Sequence, residues 1–436
     1  MHILELNDDC FGHILKFLPI QDHINVSQVC TVLRRAVQIW ANTLYPTFYV
    51  NEIVTEEFEL NTLRKQLTLL SILHGCIRTL AVNINHVDYH FYSSKQACSR
   101  NDQLSREEMN HKYLRLFRQK LEEPKELIPI DGFCNIIRKM QSLESLTISK
   151  NSFFYIPNPK IVNETILALR GLPKLRSLAI KTQLDINIDD LCEIKNLDTL
   201  HLEGDKNIDY LVKYCKSNGN LRVFHLHNCK INGNLIDIVP HCSKLEEISF
   251  RLCKDSNLYI KLADLPNLRT LHIRNLIDDN MSTFLKAFSQ KQLQSLKFIE
   301  TIVGVEDTQQ IVKIDTLREI QLIFDDPEAV QLLAQLTKLQ VISVKFRGNA
   351  GDFCAVALKI LNSNRCLKYL RIAPDLGEEF RKDAFQLIKS IRNPEKQKPL
   401  HLEMPDIVRL SQDEEKLLDA KYMTFNRLPF YRWKSK

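Results

Sequence analysis

The sequence LESLTIS at residues 143–149 contains the pattern that decides the fold. A leucine is followed three places later by a second leucine, and two places after that by an isoleucine. The pattern returns as LRSLAIK at residues 175–181 and as LRTLHIR at residues 268–274. Ten copies begin between Leu143 and Leu367, so their mean spacing is about 25 residues. Because successive side chains of a strand point to opposite faces, the apolar fourth and sixth places predict the buried side of a short strand in every copy.

Repeats of this length, with leucines at these places, are typical of leucine-rich repeats. We therefore predict an α/β fold: a horseshoe-shaped solenoid with parallel strands on its concave face and helices on its convex face. Ile77, Leu80 and Val82 have the same spacing and predict an earlier strand. Leu400 and Leu402 predict the last strand of the array.

The repeat divides the chain into four predicted segments. Residues 1–46 lack the repeat and form a helical module. Residues 47–142 hold a linker, the first repeat and an insertion with a helix near residues 105–121. The regular array covers residues 143–410, and residues 411–436 form a C-terminal cap helix and a basic tail.

The composition is that of a globular protein without an extreme charge. Of 436 residues, 44% are hydrophobic and 26% are charged, and the net charge is +6. The sequence has no concentrated basic patch of the kind that binds nucleic acid, and no apolar run long enough to cross a membrane. Asn7, Asp8 and Asp9 stand where a secretory signal would need apolar residues. We expect a soluble protein of the cytoplasm or nucleus that binds neither nucleic acid nor membrane.

The twelve cysteines include no C-x-x-C pair, so neither a zinc ribbon nor a disulfide framework is predicted. Most fall in apolar surroundings, where a thiol behaves as a small core side chain. Cys229 and Cys253 each occupy the ninth place of a repeat. There we expect the thiol to pack or to form a hydrogen bond at the turn that leaves the strand.

Residues 1–46 contain two apolar stripes with helical spacing. Asn7 or Asp8 is the predicted N-cap of the first stripe, and Pro19 closes it. The first stripe consists of Phe11, Ile14, Leu15 and Leu18, and the second of Val26, Val29, Cys30, Leu33, Val37 and Trp40. A unit of about 40 residues rarely buries so many large apolar side chains within itself. Part of these stripes is therefore expected to bind another surface.

The order of these features resembles the F-box, the helical module that docks substrate receptors onto the adaptor subunit of cullin-RING ubiquitin ligases. LELNDD at residues 4–9 stands in the place of the family's acidic, leucine-containing opening. ILKFLP at residues 14–19 matches its first-helix segment, and VSQVC at residues 26–30 matches its serine-x-valine-cysteine segment. Asn7 replaces the usual proline, and Leu33 replaces the usual tryptophan. Together with the repeats, the chain resembles F-box and leucine-rich-repeat proteins over nearly its whole length.

The resemblance implies that the chain is the substrate-recognition subunit of an SCF-type ligase. The module would bind the adaptor, and through it the cullin, while the repeats hold a protein substrate for ubiquitination. The residues implied to bind the adaptor are Leu4, Leu6, Ile14, Leu15, Leu18, Val29, Cys30 and Leu33. The sequence contains no catalytic motif and no cofactor-binding motif, so we predict a non-catalytic subunit. The alternative is a scaffold or regulator without ligase activity, whose N-terminal helices only cap the solenoid.

The third, fifth and seventh places of each copy are predicted to face outward on the concave side. The middle copies have basic residues there, namely His201, His225, His227, Arg251, His272 and Arg274. One interpretation is a shallow surface for an acidic or phosphorylated substrate peptide, bound by the two arginines. The other is a solvated strand face whose positive charge is offset by Glu203 and Glu247. A zinc site at His201, His225 and His227 would lack the carboxylate or thiol that completes a tetrahedron, so no metal is predicted.

Overall fold

The computed structural model describes residues 5–50, 60–83, 130–149, 159–182, 186–227, 229, 231–252, 256–275, 281–374, 376–405 and 419–428. The chain divides into two compact units, Met1–Glu203 and Gly204–Lys436. Leu4, Cys253 and the predicted helix near residues 105–121 lie outside the described residues. Of the predicted C-terminal cap helix and tail at residues 411–436, the structure describes only residues 419–428, where Met423–Leu428 is a strand. No described helix combines the length and the apolar character that a membrane crossing requires.

The first unit begins with helices, as the apolar spacing predicts. They are α1 (Asp8–Leu15), α2 (Ile20–Val29), α3 (Thr31–Leu44) and α4 (Leu60–Leu73). The side chain of Asn7 accepts a hydrogen bond of 2.9 Å from the Cys10 backbone N–H. This bond confirms Asn7 as the N-cap of α1, because it satisfies one of the backbone donors that the first helical turn leaves unpaired.

The second apolar stripe is not continuous. Cys30 has an extended backbone, with φ −159° and ψ 170°, and separates α2 from α3. Residues on either side of this break therefore do not share one helical face. Val29 and Val32 are exposed, whereas Leu33 and Val37 are buried.

The first unit continues with parallel strands that pair in chain order. They are β1 (Phe48–Val50), β2 (Thr79–Asn83), β3 (Ser145–Ser149), β4 (Ser177–Lys181) and β5 (Thr199–Glu203). Three further helices, Ile130–Arg138, Pro159–Leu169 and Ile188–Cys192, precede β3, β4 and β5 in turn. Strand β2 confirms the early strand predicted from Ile77, Leu80 and Val82. The three-residue β1 is too short to show a periodic pattern.

The second unit repeats the arrangement. Its main sheet contains β7 (Val223–His227), β9 (Glu247–Leu252), β10 (Thr270–Asn275), β11 (Ser295–Ile302), β12 (Glu319–Phe324), β13 (Val341–Phe346), β14 (Tyr369–Ala373), β15 (Leu400–Pro405) and β16 (Met423–Leu428). All neighbouring pairs are parallel. A small separate sheet pairs β6 (Lys206–Asn207) with β8 (Ile231–Asn232). Strand β15 confirms the strand predicted from Leu400 and Leu402, while β16 has no leucine pattern that would predict it.

Helical segments connect the strands of the second unit. They are the helices Ile208–Ser217, Ser282–Phe288, Val305–Ile311, Pro327–Leu332, Ala350–Ser363 and Gly377–Ile391, and the 3₁₀ segments Leu235–His241, Ser256–Asp264 and Leu333–Gln335. The fourth and sixth places of the repeats face these segments and are buried, as Leu271 and Ile273 show. Full burial of one such side chain contributes about 1.5–3 kcal/mol. The α/β fold of stacked parallel strands is thus confirmed.

Most of the described cysteines are buried or half-buried, while Cys10 and Cys366 are exposed. The Cys229 thiol is buried and donates a hydrogen bond of 3.3 Å to the carbonyl of His227. It closes the turn after β7, as its ninth place in the repeat predicts. No disulfide joins any of the cysteines among the described residues.

Candidate functional site

The helical module exposes large apolar side chains. Within the described part of the helical module, residues 5–46, the exposed fraction is 86% for Phe17, 71% for Val29, 49% for Val32, 48% for Ile39 and 41% for Ile14. We call these five residues the exposed apolar set. Scattered apolar residues are normal on a protein surface, but this many in one short module is typical of an interaction site.

Local backbone structure explains the exposure of the first two. Helix α1 ends at Leu15, and the chain then turns through hydrogen bonds of 3.1 Å from Phe17 N–H to the Ile14 carbonyl and from Leu18 N–H to the Leu15 carbonyl. The turn directs Leu15 inward and Phe17 outward. Between α2 and α3, the break at Cys30 leaves Val29 and Val32 at two helix ends rather than in one buried stripe.

The residues that were predicted to bind the adaptor differ in their exposure to solvent. Ile14 and Val29 are exposed, and Leu6, Leu18 and Cys30 are half-buried. Leu6 and Cys30 pack against the small core of Phe11, Leu33 and Ala36.

Leu15 and Leu33 require a correction, because only 1% and 8% of their surfaces are exposed. Both belong to the core of the module and cannot form its outer surface. Phe17, Val32 and Ile39 were missed. The helical spacing held a signal for all three, because none of them lies on either of the two predicted apolar stripes.

The ring of Trp40 ties α3 to α1. Its Nε1–H donates a hydrogen bond of 2.7 Å to the carbonyl of Asp8. The ring occupies the space beside Gly12, where an added Cβ atom would lie only 2.2 Å from Trp40 Cε2. The Nζ of Lys16 lies 5.7 Å from the ring centroid and covers its face. Gly12 is therefore required for the close approach of these two helices.

A buried histidine of α2, His23, forms hydrogen bonds to the end of α1 and to the residue that follows α3. His23 Nε2 lies 2.7 Å from the carbonyl of Leu15 and must donate, since a carbonyl can only accept. His23 Nδ1 then accepts from the Tyr45 hydroxyl at 2.5 Å. Burial raises the pKa of Tyr45 to about 12, so the phenol keeps its proton at neutral pH. These two bonds help to fix the turn that presents Phe17.

A second candidate site lies on the outward rows of the second unit. His225 of β7, Ser249 of β9, His272 of β10 and Lys297 of β11 are neighbours in register. Glu247 lies two residues before Ser249 on the same face of β9. Its Oε1 atom is 2.6 Å from His225 Nε2 and 3.7 Å from His272 Nδ1.

The surroundings set the charge of this cluster. The hydrogen bond from His225 is the main cause that lowers the pKa of Glu247, so its carboxylate is ionised at neutral pH. Burial, and then the nearby Lys297, lower the pKa of His272 to about 4. The His272 imidazole is therefore neutral at neutral pH, and does not supply the positive charge that a basic surface would need.

Other bases on these rows also face carboxylates. Lys297 Nζ lies 2.8 Å from Glu319 Oε1, and Arg371 donates hydrogen bonds of 3.0 and 2.9 Å to Glu403 Oε2. The sequence pattern did not predict that Glu247, Glu319 and Glu403 would pair with these bases, because each glutamate lies in a different repeat from its partner. They reduce the net positive charge of the predicted basic surface.

The remaining predicted substrate-binding residues lie on their expected strands. Arg251 and Arg274 pair in register on β9 and β10. The ring of His227 lies 5.5 Å from that of His225 in an edge-to-face arrangement. His201 lies half-buried on β5 of the first unit.

Comparison with known proteins identifies the module. Residues 3–42 match the family model of the F-box domain. No curated protein matches the chain.

Solved structures of similar fold include an internalin (inlF) from Listeria monocytogenes, with 14% identity over 72% of this chain and 92% of that chain and a TM-score of 0.38. The TLR13–ssRNA13 complex is similar at 15% identity over 62% of this chain and 37% of that chain, with a TM-score of 0.35. The chain thus contains an F-box domain at residues 3–42, followed by leucine-spaced repeats that each supply one parallel strand.

Proposed function

We propose that this chain is the non-catalytic substrate-recognition subunit of an SCF-type ubiquitin ligase, acting in the cytoplasm or nucleus. One observation carries the proposal: residues 3–42 match the F-box domain, and this same segment exposes Phe17, Val29 and Val32. The F-box would bind the adaptor subunit and, through it, the cullin. The repeats would hold a protein substrate near the ubiquitin-conjugating enzyme, which raises the effective concentration of the reacting groups.

The exposed apolar set offers enough surface for docking. Burial of a large apolar side chain contributes about 1.5–3 kcal/mol, and association itself costs about 4–15 kcal/mol. Burial of several members of the set can therefore offset much of this cost. A few members of the set would be enough to supply most of the binding energy, because a handful of central residues usually dominates an interface.

The alternative is a scaffold whose helices only cap the repeats. It has support in the structure, since α4 packs against α2, α3 and β1, and Gln38 Nε2 donates a hydrogen bond of 3.2 Å to the Ile72 carbonyl. A cap, however, is needed to cover apolar surface, and it has no need to expose its own. The exposure of Phe17 and Val29 therefore favours the receptor over the cap.

For the substrate, we propose an acidic or phosphorylated segment bound to the outward rows of the second unit. Arg251 and Arg274 are adjacent in register and can form bidentate hydrogen bonds to a carboxylate or phosphate. The neighbouring carboxylates Glu247 and Glu319 would repel an anion placed over the fifth-place row. The segment is thus expected to follow the seventh-place row.

The docking proposal is tested by measuring the affinity of the full chain for purified adaptor by calorimetry. Phe17→Asp and Val29→Asp are expected to weaken binding by at least about tenfold each, since a charge would be placed where apolar surface is buried. Tyr210→Asp is the matched control, because Tyr210 is also an exposed apolar residue but lies on the Ile208–Ser217 helix of the second unit. Circular dichroism checks that each variant is folded.

Two outcomes would contradict the proposal. One is a folded wild-type chain that does not bind the adaptor, which would leave the scaffold. The other is equal binding by the wild type, Phe17→Asp and Val29→Asp, which would place the docking surface elsewhere.

A further inference from the structure

The imidazole of His272 is half-buried on β10 and lies beside Glu247 of β9. Its Nε2 atom is buried and has no partner among the described residues. Its Nδ1 atom lies 3.7 Å from Glu247 Oε1, which is beyond hydrogen-bonding distance. Because the lone pairs of the two ring nitrogens point in different directions, an ion shared with Glu247 would bind Nδ1, and Nε2 takes no part in the site.

Three potential metal ligands converge at this point. His225 Nε2, Glu247 Oε1 and His272 Nδ1 all lie within 4.8 Å of one another. They come from the adjacent strands β7, β9 and β10, so the sheet fixes their spacing. Ligands of tetrahedral zinc, at bond lengths of about 2.0–2.2 Å, are separated by about 3.3–3.5 Å. The measured separations of 2.6 and 3.7 Å lie on either side of this range, and small side-chain rotations suffice to reach it.

We propose that His225, Glu247 and His272 bind a divalent transition-metal ion of the zinc class. Two imidazoles and one carboxylate are a ligand set that such ions favour. Three protein ligands leave one tetrahedral position open, which water or a donor from a binding partner can fill. The ion would take the place of the proton that joins His225 to Glu247, and its bond to His272 Nδ1 would engage a nitrogen that otherwise has no close partner.

The charges around the site are compatible with a cation. The ionised carboxylate of Glu247 lies at its centre, and the nearest lysine, Lys297, forms an ion pair of 2.8 Å with Glu319. Arg251 and Arg274 lie on the adjacent seventh-place row rather than among the ligands. These cations lower the affinity for a metal ion without occupying its position.

The neighbouring strand is also irregular. The pairing of β11 with β12 shifts register between Lys297 and Ile302, and Glu300 adopts a positive φ of 71°. This conformation is uncommon for a residue other than glycine, and bulges of this kind are frequent beside binding sites.

This ligand set differs from the zinc site at His201, His225 and His227 that was weighed from the sequence. That earlier set consists of histidines alone and has no carboxylate. The strand register supplies the carboxylate, because it brings Glu247 between His225 and His272. Their separation along the chain conceals this grouping.

Cobalt(II) is the probe that tests the site, because its spectrum distinguishes ligands. The full chain, freed of metal by a chelator, would be titrated with Co²⁺ and followed by visible absorption. We expect one Co²⁺ per chain, with d–d bands but no thiolate-to-metal charge-transfer band. Zn²⁺ should displace the ion.

His272→Ala and Glu247→Gln should each weaken binding by more than about 100-fold, since even the partners of ligands contribute about 10–100-fold. His401→Ala is the matched control, because His401 is a half-buried histidine of the same sheet that forms a hydrogen bond of 2.9 Å with Thr424. If His272→Ala fails to fold, the conservative Glu247→Gln decides the outcome. Binding that is unchanged in Glu247→Gln, a spectrum with only a thiolate band, or no binding at all would overturn the proposal.

Discussion

At the scale of single residues, Gly12 is a position in the F-box where even one added methyl group would clash. Gly12→Ala places a Cβ atom 2.2 Å from Trp40 Cε2, and the ring is held by its hydrogen bond to Asp8. Overpacking of this kind costs about 1–3 kcal/mol, against about 1 kcal/mol gained from better helix propensity. We expect the free energy of unfolding to fall by up to about 2 kcal/mol, as measured by urea denaturation.

Gly75→Ala is the control for this substitution. An added Cβ atom at Gly75 has no neighbour within 4 Å. It should leave the stability unchanged within about 0.5 kcal/mol. Equal stability of Gly12→Ala and the wild type would show that the packing of Trp40 on α1 is not as described.

A second prediction at this scale concerns the Tyr45 hydroxyl. Tyr45→Phe removes the donor to the buried His23 Nδ1 and should cost about 1–3 kcal/mol at neutral pH. The folded pKa of Tyr45 is raised from 10.0 to about 12, so its stabilising contribution is complete below pH 10 and is lost as the pH rises through 12. The difference in stability between wild type and variant should therefore shrink over this range. A difference that stays constant from pH 9 to pH 12 would contradict this assignment.

Single residues also mark the limit of prediction from sequence. Helical spacing predicts that residues 11–18 carry an apolar stripe, but it does not separate Ile14, which is exposed, from Leu15, which is buried. That distinction depends on where α1 ends and how the chain turns at Phe17. Similarly, only the strand register reveals that Glu247 lies between two histidines.

At the scale of elements, the ion pairs between neighbouring repeats differ in how deeply they are buried, and their strength is expected to differ accordingly. Arg371 and Glu403 join β14 to β15 and are largely buried, whereas Arg222 and Glu246 join adjacent repeats at the exposed surface. Burial of the first pair makes each charge costly without its partner. A double-mutant cycle with alanine should give a coupling energy of about 1–3 kcal/mol for the buried pair.

The exposed pair is the matched comparison. It also forms two hydrogen bonds, each of 2.9 Å, but water screens both groups. Its coupling energy should be about 0–1 kcal/mol. Equal coupling energies in the two cycles would mean that burial does not govern the strength of these pairs.

The sequence predicts those secondary-structure elements that belong to the long leucine repeat. The repeated leucines predict the strands from β3 to β15 that carry them, since each copy buries the same two places. The break between α2 and α3 was not predicted, because apolar spacing continues through Cys30 and nothing in it indicates an extended backbone there. Strands β1 and β16 were missed because they lack the repeat.

At the scale of the whole molecule, the chain joins a short module with exposed apolar residues to repeats whose leucines are buried. The repeats expose polar and charged rows that can change without loss of the fold. This division explains why a docking function could be proposed from a family resemblance, while the proposed substrate could be described only by its charge.

Hydrogen–deuterium exchange of the full chain, with and without purified adaptor, would show whether the exposed apolar set is the docking surface. We expect the adaptor to protect the segments around Phe17 and between Val29 and Ile39, while exchange in strands β9 to β14 is unchanged. Protection confined to the strands, or no protection anywhere in residues 5–50 at saturating adaptor, would contradict this expectation.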